Sequence, residues 1–156
     1  MANPFPFASG DVLTAANLNE IGAWQTYTPT WTASVTNPDV GSGSLDGRYC
    51  QVNDLVIGQV YIQTGSGYDR GEDYYGVSTP VTPLTTGTNN AICGQAWLYD
   101  SSGNVADYLM LRLAAGSTNL QGYLIDKSGS FGWAHNNPFT VGQNDQMRLM
   151  FTYRAA

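Results

Sequence analysis

Short apolar runs, regularly broken by turn clusters and with no long amphipathic helix between them, constrain this chain most. Strand-like segments are expected at Thr26–Ala33, Arg48–Val52, Leu55–Thr64, Asp73–Ser78, Ala91–Asp100, Val105–Leu113, Gln121–Asp126 and Gln146–Arg154. Asn53-Asp54 separates two of them by two residues whose side chains tolerate positive φ, which predicts a hairpin over Arg48–Thr64. Asp100–Asn104, Gly116–Asn119 and Asp126–Ser130 are further turn clusters. A parallel α/β fold needs crossover helices, and the chain offers none. The spacing therefore predicts an all-β fold, an antiparallel β-sandwich of jelly-roll-like kind.

Composition supports that reading and removes several functions. Charged residues make up 12% of 156 residues, while Gly (18) and Tyr (10) are abundant, a poor mixture for helices. Six Lys+Arg against twelve Asp+Glu leave a net charge of −6, which repels phosphates and disfavours nucleic acid. There is no basic patch for an anionic membrane, no apolar run near the roughly 18 residues of a spanning helix, and no secretory leader pattern. Synthesis in a cytoplasm is the expectation. Cys50 and Cys93 have no metal-ligand spacing and read as reduced, partly buried strand residues.

The first 22 residues read as a segment apart from a β-domain at 23–156. Pro4 and Pro6 alternate with Phe5 and Phe7, favouring an extended stretch with two apolar anchors. Thr14 is a candidate N-cap, with Leu13 and Leu18 placed as a hydrophobic staple, for a short helix over Ala15–Ile21 that stops at Gly22. So short a helix is stable only when docked, whether on its own domain or on another subunit. Phe5, Phe7, Leu13, Leu18 and Ile21 are thus the candidate anchoring residues. Strict alternation would put Cys93, Trp97 and Tyr99 on one face of Ala91–Asp100 and Ile92, Ala96 and Leu98 on the other. Gln146–Arg154 is also apolar on both sides at Met150, so a second buried face at a subunit contact, and hence a homo-oligomer, is expected.

Catalytic machinery is hard to find. His135 is the single histidine, no serine lies in a nucleophile elbow, and no calcium loop, Walker or Rossmann pattern is present. Asp69, Glu72 and Asp73 cluster as glycosidase carboxylates could, but they read as a solvated acidic loop softened by Arg70. The expectation is no enzyme, no cofactor and no metal. Glycan binding survives as an alternative: Tyr68, Tyr74, Tyr75, Trp133 and His135 fall near loops or strand ends beside Asn136, Asn137 and Asp73. Trp31 is expected instead to cover one end of the core near Tyr49 or Val56, with Pro29 marking an edge.

Two motifs carry a resemblance. The leader reads Gly10-Asp11-Val-Leu13-Thr14-Ala15-Ala16-Asn-Leu18-Asn19. The domain opens Trp24-Gln-Thr-Tyr27-Thr28-Pro29-Thr30-Trp31-Thr, followed by Gly41, Gly43 and Gly47-Arg48-Tyr49. Val77–Pro80 and the stretch from Pro138 through Asp145 to Tyr153 extend the match over nearly the whole chain. The sequence resembles small virion proteins of tailed bacteriophages, of minor-tail, head-fibre or capsid-decoration type. The resemblance implies a non-enzymatic structural role in the virion and a homotrimer. It also implies anchoring to capsid or tail proteins through the N-terminus, with the β-domain exposed and able to meet host surface glycans.

Overall fold

The computed structural model describes residues 9–10, 12, 14–15, 21–84, 91–124 and 132–156. Its strands are β1 (Gln25–Tyr27), β2 (Trp31–Ala33), β3 (Ser44–Val52), β4 (Leu55–Gln63), β5 (Tyr75–Ser78), β6 (Ala91–Asp100), β7 (Val105–Leu113), β8 (Asn119–Leu124) and β9 (Gln146–Arg154). They form one antiparallel sheet in the order β1-β3-β4-β9-β6-β7-β8-β5-β2. The all-β, sandwich-class expectation holds, with both layers belonging to a single curled sheet. β6, β7 and β8 form a meander, and β5 returns beside β8 to complete a Greek key.

The edge strands explain the curl. β1 and β2 lie at opposite edges, yet only Thr28, Pro29 and Thr30 separate them in the chain. The sheet must therefore bring its two edges together. The Thr30 N–H donates to Ser78 Oγ at 2.8 Å, the Ser78 N–H to the Thr30 carbonyl at 3.0 Å, and Tyr27 Oη to the Ser78 carbonyl at 3.4 Å. The continuous strand expected at Thr26–Ala33 is thus two strands joined by a strap, broken where Pro29 withholds a donor. Tyr27 packs edge-on against Tyr49 at 5.8 Å, and its ring lies where a Cβ on Gly47 would stand. The glycine of the Gly-Arg-Tyr motif is therefore a packing requirement at the seam.

Alternation fills the interior. Val56, Val60 and Ile62 of β4, Leu109, Leu111 and Leu113 of β7, and Met147, Leu149, Phe151 and Tyr153 of β9 point inward and are buried. The Asn53-Asp54 hairpin forms as expected, with Asn53 at φ 55°. In β6 the expected alternation fails, because the register shifts between Ile92 and Gly94. The bulge puts Cys93 inside with Ala96 and Leu98, and leaves Ile92, 57% exposed, on the outer side with Trp97 and Tyr99. A Cβ on Gly94 would collide with the Met150 carbonyl, so the bulge needs glycine there.

Of the leader, Phe5, Phe7, Leu13 and Leu18 lie outside the described residues. Ala15 alone is helical among the described residues; Ile21, expected as the last helical position, lies with Gly22 in a turn, with Gly22 at φ 70°. Among the described residues no helix is long and apolar enough to cross a membrane.

Candidate functional site

The aromatic loop residues separate into core and surface. Tyr75 and Trp133 are 2% and 0% exposed, so neither offers a ring face to a ligand, which corrects their place in a glycan site. They pack with Trp31, Tyr75 at 4.9 Å and Trp133 at 6.5 Å, the latter pair nearly parallel. Trp31 is buried as expected; these are its ring partners, while Val56 belongs to the same buried cluster and Tyr49 packs against that cluster. Tyr75 Oη donates to the Arg70 carbonyl at 2.5 Å, and its phenol pKa is raised, first by burial. The indole Nε1 atoms of Trp31 and Trp133 are buried without a hydrogen-bond partner, which costs stability and shows that apolar packing dominates here.

Tyr74 is exposed, His135 and Tyr68 half-buried. His135 braces its loop: its Nδ1 accepts the Asp73 N–H at 2.9 Å, and its own N–H donates to the Asp73 carbonyl at 3.3 Å. A cleft of about 380 Å³ holds Tyr74 with Ser34, Arg112, Gln121 and Tyr123, above Tyr75 and Trp133. Arg112 lies 3.9 Å over the Tyr123 ring and donates to Gln121 Oε1 at 3.0 and 3.2 Å. Tyr68 and His135 are not among the residues lining it. The acidic loop is tied into backbone pairing, with bridges Asp39–Asp69 and Thr36–Glu72.

No group of three metal-ligating side chains occurs among the described residues. Both cysteines are free and buried, and burial pushes the Cys93 thiol up to about 11, far from a nucleophile's range. Asp145 is fully buried, with one carboxylate oxygen accepting the Ser101 N–H at 2.9 Å and the other the Gly142 N–H at 2.7 Å. These bonds tie the β6–β7 turn to the loop that leads into β9, a structural task.

The lateral rows across the outer face of β3, β4, β9, β6 and β7 are the part sequence reasoning missed. Lateral pairing aligns Asp46, Tyr61, Arg148, Trp97 and Tyr108 in one row across five strands. The neighbouring row reads Arg48, Gln59, Met150, Gln95 and Met110. Toward the leader the outer face turns aliphatic: Val52, Leu55, Ile57 and Ile92 are exposed, with Trp24 and Leu84 beside the same end. The signal available in the sequence was the apolar outer parity of these strands; their lateral order comes only from the fold. No family model matches the chain, and no curated protein or solved structure does either.

Proposed function

We propose that the protein is a non-enzymatic structural component of a tailed-phage particle, of the minor-tail, head-fibre or decoration type. In this reading it is a homo-oligomer, most simply a trimer, held to capsid or tail proteins by its leader and the adjoining end of the sheet. One observation carries the proposal. Six large apolar side chains, Trp24, Val52, Leu55, Ile57, Leu84 and Ile92, stay exposed at the end where the leader joins β1. Grouped exposed apolar residues mark a surface that another protein covers. The leader motif and the seam motif add the resemblance to virion proteins.

The test is incorporation into particles. Deleting residues 1–22 is expected to leave a folded domain that no longer assembles into virions. The pair Leu55→Asp and Ile57→Asp is expected to reduce incorporation and self-association together while the melting temperature holds. Full incorporation of both variants overturns the reading.

A further inference from the structure

The other half of the same outer face has different chemistry. A groove of about 820 Å³ is lined by Thr28, Asp46, Arg48, Gln59, Tyr61 and Arg148, among others. It runs into a second hollow of about 390 Å³ lined by Trp97, Tyr108 and Gln95, and Arg148 and Met150 line both. The row of lateral partners is therefore also a continuous trough across the sheet.

Arg148 stands between two rings, 5.4 Å from the Tyr61 centroid and 5.6 Å from that of Trp97. These two residues flank β9 on either side, so about 10 Å separates their backbones, two strand spacings. Tyr99 extends the platform, lying parallel to Trp97 at 5.6 Å. Amides flank the rings: Gln59 and Gln95 in the next row, and Gln63, whose Oε1 accepts the Tyr61 hydroxyl at 3.0 Å. Flat rings set at intervals pack against the C–H faces of pyranoses, and amides pair with adjacent hydroxyls.

Charge decides which saccharide. The chain has six Lys+Arg and a net charge of −6, yet Arg48 and Arg148 both open on this trough. Among the described residues neither forms an ion pair, whereas Arg154 is bound to Asp54 at 2.6 Å. Two guanidinium groups without a carboxylate partner among the described residues, in an otherwise acidic molecule, favour an anionic occupant and suit bidentate capture of a carboxylate or sulfate. A protein partner would find its aliphatic anchors at the opposite end, on Leu55, Ile57 and Ile92.

We infer that this trough binds an acidic oligosaccharide, with Tyr61 and Trp97 stacking on successive sugar rings and Arg148, assisted by Arg48, holding the acidic group. The inference rests on the anchoring proposal only in needing this half of the sheet uncovered.

Calorimetric titration of the full chain with oligogalacturonate, oligosialate and a heparin hexasaccharide, beside neutral maltohexaose and polyglutamate, tests it apart from particle assembly. At least one acidic saccharide is expected to bind about tenfold or more tightly than maltohexaose. Arg148→Gln is expected to erase that preference and Arg148→Lys to restore part of it. Trp97→Ala and the exposed-site variant Gln95→Ala are expected to weaken binding with the melting temperature nearly unchanged. Three results overturn the inference: no acidic saccharide binds; polyglutamate competes equally and Trp97→Ala has no effect; or Tyr74→Ala abolishes binding while Arg148→Gln does not.

Discussion

Two aromatic clusters of similar make-up serve opposite ends in this molecule. Trp31, Tyr75 and Trp133 lie inside the curled sheet, sealed from solvent, two of them with indole N–H groups that find no acceptor. Tyr61, Trp97 and Tyr99 lie on the outer face, each half-buried, with a guanidinium and amides within reach. The inner cluster spends polar capacity to gain packing, and the outer one keeps polar groups beside its rings. The composition of an aromatic cluster therefore says little about its role. The side of the sheet on which register places it, and the polar groups it keeps, say much more.

The sharpest way to break the comparison is to remove the inner cluster. Trp31→Ala is expected to cost about 3–5 kcal/mol, a large part of the stability of a domain this size, read by denaturant unfolding. Trp31→Phe should cost clearly less, since it also removes a buried donor that has no partner. A Trp31→Ala protein that melts unchanged would place this cluster outside the core.

Asp145→Ala comes next. It strands the Ser101 and Gly142 N–H groups, and loss of charge-assisted hydrogen bonds at a fully buried site is expected to cost about 2–4 kcal/mol. Asp145→Asn, which keeps one acceptor, should recover part of that loss in the same unfolding experiment. Equal losses in the two variants would show that the shape and single acceptor kept by asparagine contribute nothing, and that the β6–β7 turn depends on both carboxylate oxygens.

Alkaline titration probes the inner cluster through Tyr75 and the seam through Tyr27. Burial raises the phenol pKa of Tyr27 and Tyr75 above the ordinary 10.0. A raised folded value means that their contribution is fully present below pH 10 and is lost as pH rises from there, because the unfolded chain releases its protons first. Stability is therefore expected to fall above about pH 10, and Tyr75→Phe to flatten that fall, measured by urea unfolding across alkaline pH. An alkaline slope unchanged in Tyr75→Phe would remove this tyrosine from the account.

Much of the fold was legible because β4 and β9 alternate cleanly and Asn53-Asp54 fixes their hairpin neighbour. The start of β3 at Ser44 was not, since Ser-Leu-Asp after a glycine-rich turn has no strand signature until it pairs with β4. The bulge at Gly94 exchanged the sides of Ile92 and Cys93 relative to the rest of β6, because periodicity has no way to register one inserted residue. Tyr75 read as a strand-end residue and Trp133 as a loop residue, and only the closure of the sheet buries them. The trough was invisible for a related reason. Tyr61, Arg148 and Trp97 are far apart in sequence and meet only because β9, the last strand, inserts between β4 and β6.

The smallest expected effect on stability is the one that most sharpens the contrast. Trp97 is half-buried on the outer face, stacked on Tyr99 and facing the Arg148 guanidinium. Truncation there opens no cavity in the core, because Ala96 and Leu98 on either side carry the inward packing. Trp97→Ala should then cost about 1 kcal/mol or less, from the lost stacking and cation–π contacts, against the several expected for Trp31→Ala. Measured side by side in the same denaturant, the two tryptophans should differ by a wide margin in midpoint with equal slopes. Equal losses would mean that Trp97 is covered by a subunit or by the leader, and the outer cluster would then be an interface and not an open trough.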